Sequence, residues 1–473
     1  MGIKIKEENI YDVVVIGAGH AGCEAALSSA RNGSRTLLVS INMDSIAIMP
    51  YGSTVGGTGK SQLLREVDIL GGEISKNIDK TSIHLKELKN TKSRASAAFQ
   101  AIVDRREYSL SMKEVLEKQS NLDLRQGLAV NVKEDKSGYY LYTSDGIVYS
   151  CRSIIICTGT FLKARIFWGD YMIEAGRQGE ICSKKLLDGL KNLGFRFGKL
   201  KNYAAPVVDK RSIDLDNLKK QQYSRKKWTF SYESNFKNRE QIYFYITYIN
   251  KDFSRFLQSQ AANIKDNGIS NYLDISEDAL SVEDRVLKKE DIEGIEVSIK
   301  PLGRDTKEAY LNGLETAVSE ELQVEMLRKI KNFESVEITR PGYGIEYYYL
   351  LPYQLKGNLG SKTLNRFFFA GQVNGTAGYE ESAAQGLIAG INASREAKNL
   401  TSIVINREDG YIGKLINSLT EKESKRLPSV RLTINDKNFC SDDSRDVNKM
   451  VKILLNMGSD EKAEIIMRNI INK

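Results

Sequence analysis

Two glycine-rich segments near opposite ends of the sequence constrain the fold most strongly. The first is Asp12-Val-Val-Val-Ile-Gly-Ala-Gly-His-Ala-Gly22, an apolar strand that runs into a tight turn. The second is Phe367-Phe-Phe-Ala-Gly-Gln-Val-Asn-Gly-Thr-Ala-Gly-Tyr-Glu-Glu381. A strand, a Gly-x-Gly-x-x-Gly turn and a helix form the phosphate-binding unit of dinucleotide-binding folds. We therefore predict that the two ends of the chain together clamp a dinucleotide.

Each glycine of the first turn has a distinct predicted role. Gly17 makes the tight turn, Gly19 lets the backbone approach a pyrophosphate, and Gly22 lets the following helix pack against the strand. The spacing predicts a helix over 21–31 and a second strand over 36–40. The free N–H groups and the positive dipole end of that helix then face the phosphates.

The polar residues around this turn are less diagnostic. Dinucleotide-binding folds usually have an Asp or Glu that binds the ribose about 20 residues after the turn. This chain has no acidic residue there, since the second strand ends in Ser40, Ile41 and Asn42. Asn42 or Ser40 is left to hydrogen-bond a ribose. His20 and Ala21 lie inside the turn, where we expect His20 to contact the cofactor or the backbone rather than to transfer protons.

Composition narrows the class of protein. With 473 residues, 41% of them apolar, the chain can build more than one core. The sequence contains no apolar run of about 20 residues and no apolar signal segment, so we expect a cytoplasmic protein without a membrane span. Five cysteines without CxxC spacing and only two histidines argue against disulfides and a metal site.

The net charge of +8 is modest, but one stretch concentrates cations beside aromatic residues. Lys219, Lys220 and the run Arg225, Lys226 and Lys227 lead into Trp228, Phe230 and Tyr232. Cations interleaved with aromatic rings can hold phosphates and stack bases. The run 225–227 and Trp228 are therefore candidate nucleic-acid contacts; a solvated loop followed by a strand is the alternative.

Seven motifs occur in an order that resembles the MnmG family, also called GidA. They are Gly17-Ala-Gly-His-Ala-Gly-Cys-Glu-Ala-Ala, Gly56-Gly-Thr-Gly-Lys, Gly159-Thr-Phe-Leu, Gly176-Arg-Gln-Gly, Ser281-Val-Glu-Asp-Arg-Val, Arg340-Pro-Gly-Tyr-Gly-Ile-Glu-Tyr and Gly371-Gln-Val-Asn-Gly-Thr-Ala-Gly-Tyr-Glu-Glu-Ser-Ala-Ala-Gln-Gly. Members of that family are flavoproteins that, with the GTPase MnmE, build the carboxymethylaminomethyl group on wobble uridines of tRNA.

The resemblance implies bound FAD, reduction by NADH or NADPH, and a one-carbon unit from methylene-tetrahydrofolate. It also implies an RNA substrate, tRNA or rRNA, and a homodimer. The C-terminal part that the family uses to hold tRNA and its GTPase is shortened here, which disfavours an MnmE-type partner.

The expected fold is α/β, with a Rossmann-like FAD-binding domain of the two-dinucleotide-binding-domain type and an inserted α/β domain. We expect the FAD-binding domain at 1–165 and 366–400, an inserted substrate- and nicotinamide-binding region at 166–365, and a short helical C-terminal region at 401–473. Within the first domain we expect a helical stretch from about Lys60 to Gln119, strands near 124–132 and 139–149, and a buried strand at 153–156. A strand over 366–370 and a helix after Glu380 should return the chain to this domain.

The candidate site residues combine the glycine pattern with the family motifs. Candidate catalytic groups are Tyr51, Lys60 and Glu346. Candidate cofactor-binding residues are Gly17, Gly19, His20, Ala21, Gly22, Asn42, Gly56, Gly57, Gly159, Arg177, Gly371, Gln372, Thr376, Gly378, Tyr379, Glu381 and Gln385.

Departures from the family pattern fall on its reactive groups. Where the family has a cysteine before the Gly-Gly-x-Gly-Lys loop and another before the Ser-Ile-Glu-Asp motif, this chain has Tyr51 and Ala279. A thiolate is the obvious nucleophile for attack on a uracil ring, and a tyrosine with a reference pKa near 10 is a poor substitute. Two family arginines are replaced by Ala97 and Gln100.

Three functions therefore remain open. The first is an MnmG-like flavoenzyme that modifies a uridine in tRNA or another RNA. The second is a flavin oxidoreductase acting on a small molecule or free nucleotide. The third is a non-catalytic FAD-binding paralogue that keeps the fold.

Overall fold

Strands and helices are mixed along the whole described chain. The computed structural model describes residues 7–88, 98–224, 228–235, 240–260, 264, 280–288, 293–420 and 450–453. The strands are β1 Ile10–Ile16, β2 Thr36–Ser40, β3 Thr54–Gly56, β4 Ser82–Leu88, β5 Ala98–Val103, β6 Leu122–Gln126, β7 Ala129–Asp135, β8 Gly138–Thr143, β9 Val148–Ile156, β10 Arg165–Trp168, β11 Tyr171–Ile173, β12 Phe197–Ala204, β13 Val207–Asp209, β14 Lys219–Gln221, β15 Phe244–Tyr248, β16 Glu296–Pro301, β17 Glu308–Asn312, β18 Ile338–Arg340, β19 Tyr343–Leu350 and β20 Phe367–Phe369. The helices are α1 His20–Arg31, α2 Lys60–Ile69, α3 Ile74–Thr81, α4 Arg105–Lys118, α5 Lys184–Asn192, α6 Lys251–Ser259, α7 Val282–Lys288, α8 Glu320–Leu327, α9 Tyr379–Ala397 and α10 Tyr411–Thr420.

A seven-stranded sheet joins both ends of the chain. Its order is β6-β2-β1-β9-β8-β7, with β20 also paired to β9. Strand β1 is parallel to β2 and β9, and β20 is parallel to β9 through Phe367 opposite Ile154. Continuous apolar runs suit parallel strands that are covered on both faces. The predicted Rossmann-like fold and the predicted return of the C-terminal segment to the first domain are confirmed.

Helices α1 and α9 pack at unusually close range beside this sheet. A Cβ added at Gly386 would lie 2.0 Å from the carbonyl oxygen of Ala21, and one at Gly390 would lie 2.2 Å from that of Ala25. Only glycine permits such an approach of two helix backbones. A Cβ on Gly371 would likewise meet Ala21, so the start of α1 lies beside the turn that leads into α9.

The stretch 60–119 is only partly helical, so this part of the prediction is wrong. Helices α2, α3 and α4 are present, but the stretch also contains β4 and β5, which form an antiparallel sheet with the preceding β3. Ile83 and Ile102 of that sheet pack against Phe244 and Ile246 of β15. Packing against a strand that lies far away in the sequence favours extended structure, and local periodicity does not reveal it.

The region 166–365 builds two further sheets. One has the order β11-β10-β19-β12 and the other the order β14-β15-β16-β17-β13-β18. The second sheet has its own apolar core, which includes Phe253, Leu311 and Phe333. Helix α10 and residues 450–453 agree with the predicted helical C-terminal part, of which 421–449 and 454–473 lie outside the described residues. Across the described ranges, no helix combines the length and apolar character needed to cross a membrane.

Candidate functional site

The first glycine turn has the geometry of a phosphate-binding turn. Gly17 has φ +102°, and a Cβ there would lie 2.4 Å from the carbonyl oxygen of Cys157. A Cβ on Gly22 would overlap the carbonyl oxygen of Gly17 at 1.7 Å, whereas one on Gly19 would meet no described atom within 4 Å. Helix α1 begins after Gly19 without a side-chain cap, so its first N–H groups are available to an anion.

The second glycine turn is held by buried amide and hydroxyl groups. The Gln385 side chain accepts a hydrogen bond from the Gly371 N–H at 3.1 Å and donates one to Thr376 Oγ1 at 2.8 Å. Thr376 Oγ1 in turn donates to the Gly371 carbonyl. The turn ends at Gly378, with φ +112°, and α9 then begins without a side-chain cap. Gln385 and Thr376 therefore shape the turn, and their predicted contact with the cofactor stays a prediction.

Both turns open into one cavity of about 1180 Å³. This volume is somewhat above the usual range of about 300–1,000 Å³ for small-molecule sites, which leaves room for a large cofactor. The predicted site residues that line it are Gly17, Gly19, His20, Ala21, Asn42, Tyr51, Lys60, Gly159, Arg177, Gln372, Gly378, Tyr379 and Glu381. The predicted site residues that are not among its lining are Gly22, Gly56, Gly57, Glu346, Gly371, Thr376 and Gln385.

A buried ion cluster joins the Gly56 loop to the start of α9. Lys60 Nζ lies 3.0 Å from Glu380 and 3.3 Å from Glu381, and Glu380 also accepts the Gly56 N–H at 2.6 Å. Burial alone would lower the pKa of Lys60, but the two carboxylates raise it above its ordinary value. Burial raises the pKa of Glu381 to about 7, against the lowering effect of Lys60. The cluster therefore holds one cation between two carboxylates, of which Glu381 changes protonation near neutral pH.

Glu380 is a site residue that sequence reasoning missed. The motifs do not single it out, yet its carboxylate makes the contacts with both Gly56 and Lys60. Two consecutive glutamates at a helix start were the available signal, since carboxylates are favoured there by the helix dipole.

His20 lies between aromatic rings at the start of α1. Its ring centroid is 4.6 Å from that of Tyr379 and 5.6 Å from that of Tyr108. Burial lowers the pKa of His20 to about 4, so the imidazole is neutral at physiological pH. This protonation state agrees with the predicted contact role rather than with proton transfer.

Tyr51 and Tyr379 are linked at the cavity wall. The Tyr51 N–H donates to the Tyr379 hydroxyl at 3.1 Å, and that hydroxyl donates to the Gly52 carbonyl at 3.0 Å. Burial raises the pKa of the Tyr51 phenol well above its ordinary value of 10.0. Tyr51 is therefore protonated at neutral pH and is a weak nucleophile.

Arg177 and Asn42 are engaged with neighbouring protein groups. Arg177 makes two contacts of 2.7 Å with the Glu180 carboxylate, which also accepts the Ser45 hydroxyl at 2.5 Å. The Asn42 side chain accepts the Asp44 N–H at 2.9 Å. A role in cofactor binding for either residue stays a prediction.

The structure places Glu346 away from the cavity. It lies on β19, where its carboxylate accepts from Arg165 at 2.9 Å and from Lys199 at 3.3 Å. The prediction that Glu346 shares a pocket with Tyr51 and Lys60 therefore has no support in the geometry. The family motif around it identified the strand, but alternation along a strand decides which face each side chain occupies.

The basic-aromatic stretch is divided between described and undescribed residues. Arg225, Lys226 and Lys227 lie outside the described residues. Trp228 is half-buried, with its ring centroid 4.1 Å from that of Phe99. Phe230 and Tyr232 are buried, and their backbone N–H groups donate to the carboxylates of Asp79 and Asp68. The rings of Phe230 and Tyr232 therefore belong to the core. The predicted alternation of cations with aromatic rings that could stack on bases is wrong at these two positions.

Two further features bear on the chemistry. Among the described cysteines, Cys157 alone lines the cavity, and burial raises the pKa of its thiol. The cavity is also lined by Arg285, Lys288, Glu296, Glu315 and Tyr310, of which only Arg285 stands in a motif quoted above; Arg285 lies 3.8 Å from Glu315. In the part of the chain that the structure describes, no group of three or more His, Cys, Asp or Glu residues is arranged to hold a metal ion.

Comparisons with known proteins agree with this architecture. The family model "Glucose inhibited division protein A" matches residues 12–401. The tRNA uridine 5-carboxymethylaminomethyl modification enzyme MnmG of Ligilactobacillus salivarius is 38% identical over 87% of this chain, and that of Heliobacterium modesticaldum is 40% identical over 87%. The chain spans 66% and 65% of the lengths of these two curated relatives.

Solved structures of GidA also resemble this chain. Aquifex aeolicus GidA in one crystal form has a TM-score of 0.87 and 32% identity, covering 98% of this chain and 76% of that one. A second crystal form has a TM-score of 0.87 and 34% identity, covering 97% and 78%. Because the family model spans most of the sequence and the GidA structures share its fold, the chain belongs to the glucose inhibited division protein A family, also called the GidA or MnmG family.

Proposed function

We propose that the cavity binds FAD, with the pyrophosphate at the start of α1. The observation that carries this proposal is that both glycine turns and the Lys60 cluster open into the same cavity. Two buried polar atoms at its wall, His20 Nε2 and Thr158 Oγ1, have no hydrogen-bond partner among the described residues. Open space beside Gly19 and the uncapped start of α1 also fit a bound diphosphate. When bound, FAD supplies the electron-transfer chemistry.

We infer that the reaction is the modification of a uridine in tRNA or another RNA. The family membership supports this inference, as do the names of the MnmG relatives. The reductant would be NADH or NADPH, and the carbon donor methylene-tetrahydrofolate. Arg285 and Lys288 line the cavity together with Glu296 and Glu315, so this part of the lining offers both cations and carboxylates to a polar substrate. A homodimer is the expected assembly.

The chain's own residues limit how the base can be activated. Tyr51 occupies the position of a family cysteine and is protonated, while the Cys157 thiol has a raised pKa. At neutral pH the phenol of Tyr51 is therefore not a phenolate, and the thiol of Cys157 is not a thiolate. Lys60 and Glu381 are the titratable pair at the cavity wall, and Glu381 holds or releases a proton near pH 7. This pair is the best candidate for stabilising charge and exchanging protons with a bound ligand.

The protonated phenol of Tyr51 also favours a second candidate function. A pocket without a nucleophilic thiolate suits an oxidoreductase that transfers electrons from a nicotinamide through FAD to a small molecule or free nucleotide. In that case turnover of the flavin would not require RNA. A non-catalytic FAD-binding paralogue would bind FAD without reduction by a nicotinamide.

The deciding experiment is a mass-spectrometric inventory of modified nucleosides in tRNA and rRNA. A strain that lacks this gene is compared with its parent and with strains complemented by the natural gene or by a Gly19→Val variant. Loss of one modified uridine, restored only by the natural gene, supports the RNA-modifying function. An unchanged inventory, together with nicotinamide-dependent flavin reduction in the purified protein, supports the oxidoreductase instead.

A further inference from the structure

Four cations, one carboxylate and a tyrosine share one face of the sheet β11-β10-β19-β12. We call this the Tyr348 surface, and it consists of Arg165, Lys191, Lys199, Lys201, Glu346 and Tyr348. Residues 199 and 201 of β12 lie opposite residues 348 and 346 of β19, and Arg165 of β10 also lies opposite Glu346. The pleat therefore brings these side chains to one face, while Tyr347 and Tyr349 point into the core on the other.

The ring of Tyr348 is flanked by ammonium groups. Lys191 Nζ lies 5.2 Å from the ring centroid and Lys199 Nζ lies 5.3 Å from it. Lys191 comes from α5, so two separate elements direct cations to one half-buried aromatic ring. Cations beside a tyrosine are the components of sites that hold phosphates and stack a base on the ring.

Positive charge dominates this surface. Glu346 is buried and pairs with both Arg165 and Lys199, and Asp284 interacts electrostatically with Lys201, so four cations stand beside two carboxylates. The side chains of Arg165 and Lys199 remain 43% and 39% exposed despite these ion pairs. The ion pairs thus orient two cations without hiding them from a polyanion in solvent.

The Tyr348 surface leads to the cavity. Side chains alternate along β12, so Lys199, Lys201 and Tyr203 follow one another on the same face, and Tyr203 lines the cavity. At roughly 3.3 Å per residue, the distance along the strand from Lys199 to Tyr203 is about 13 Å. Lys288 and Arg285 also line the cavity, where Arg285 pairs with Glu315 at 3.8 Å.

We propose that the Tyr348 surface binds the phosphodiester backbone of an RNA strand and guides it toward the cavity. The lysines and Arg165 hold phosphates, and Tyr348 stacks on an unpaired base. This assignment rests on the proposed RNA-modifying function and adds to it the surface that positions the substrate. It differs from the basic run at 225–227, which lies on another part of the sequence.

The test measures tRNA binding by fluorescence anisotropy over a range of salt concentrations. The variants are Lys191→Gln combined with Lys199→Gln, and Tyr348→Leu. A matched control exists on β7 and β8, where Lys133 Nζ lies 5.4 Å from the Tyr142 ring centroid. The control variants are therefore Lys133→Gln and Tyr142→Leu, and bound FAD per protein reports that each variant keeps its fold.

The expected result is specific to the Tyr348 surface. The double lysine variant should lower the slope of log K against log salt by about 1.5 and weaken binding about tenfold near physiological salt. Tyr348→Leu should weaken binding several-fold with little change in the slope, since it removes stacking but no charge. The Lys133 and Tyr142 variants should bind as the natural protein does.

Other outcomes overturn the proposal in distinguishable ways. If the natural protein binds tRNA and the Tyr348-surface variants bind it equally well, this surface does not bind the RNA strand, although the proposed function stands. If the natural protein binds no tRNA, both the surface assignment and the RNA-modifying function fail. Equal weakening in the control variants would show a general charge effect and also refute the assignment.

Discussion

Replacing Lys60 by methionine tests whether the cavity wall is held by charge. The ammonium of Lys60 is the cation that Glu380 and Glu381 share, and both carboxylates are 1% exposed. Methionine keeps the apolar stem of lysine but leaves two adjacent carboxylates without their cation. We expect the Lys60→Met variant to lose stability, and to lose more of it at high pH than at low pH.

The distances set the size of the loss. At an effective dielectric constant of about 20, contacts of 3.0 and 3.3 Å are each worth about 5 kcal/mol of Coulomb energy, offset by the desolvation of the ammonium. Breaking a buried pair by removing one partner typically costs about 3–5 kcal/mol, and we expect that range at pH 8.

The pH dependence follows from Glu381. Its pKa is raised from 4.5 to about 7 in the folded protein, so the folded state binds the proton more tightly and stability falls as pH rises through this window. Without Lys60, which lowers this pKa, the carboxyl group holds its proton to still higher pH. The difference between the natural protein and the variant should therefore be smallest near pH 5, where Glu381 is protonated in both.

The assay is urea unfolding followed by circular dichroism at pH 5 and pH 8. Lys76→Met is the matched control, because Lys76 pairs with Glu233 at 2.7 Å and its side chain is 26% exposed, as that of Lys60 is. The partner of Lys76 is 31% exposed, so this variant should lose less than about 1 kcal/mol at either pH. A Lys60→Met deficit that is the same at both pH values, or no larger than that of the control, would refute the reasoning.

Three further substitutions probe the cavity and its supports. Gly378→Val should lower the amount of bound FAD at least tenfold, because a Cβ there would lie 1.9 Å from a carboxylate oxygen of Glu381. The control is Gly146→Val, where a Cβ would meet no described atom within 4 Å, and this variant should keep the flavin absorbance. Glu66→Gln should cost about 1–3 kcal/mol by weakening two hydrogen bonds at the start of α10, measured as faster proteolysis there. Cys157→Ala should keep uridine modification within about twofold in a nucleoside assay, since burial raises the pKa of the thiol; complete loss would show that this thiol is the nucleophile.

The glycine turns were predictable because their signals are local. Helix α1 begins one residue before the predicted start, and β2 has the predicted bounds of Thr36–Ser40. Helix α9 was predicted after Glu380 and starts two residues earlier, at Tyr379, directly after the Gly378 turn. At these positions a glycine with positive φ or a close backbone contact leaves few alternatives, so the sequence pattern and the fold agree.

The features that were missed depend on partners far away in the sequence. The hairpin of β4 and β5 is stabilised by packing on β15, more than 140 residues later. Glu346 was assigned to the pocket, but the cross-strand register places it opposite Arg165 and Lys201 instead. A motif gives the residue type and the element, whereas the face and the neighbours follow from strand pairing in the folded protein.

Buried carboxylates hold together helices and loops that are remote in the sequence. Glu66 accepts the N–H groups of Tyr411 and Ile412 at the start of α10, at 2.7 and 2.8 Å, as Glu380 accepts that of Gly56. Hydrogen bonds to charged groups contribute about 1.5–3 kcal/mol each, and a buried carboxylate without them would be costly. Glu66 stands six residues after Lys60 on α2, about 9 Å along the helix axis at 1.5 Å per residue. One short rigid helix therefore fixes α9 at the cavity through Lys60 and α10 through Glu66, so the position of α10 and the shape of the cavity are set together.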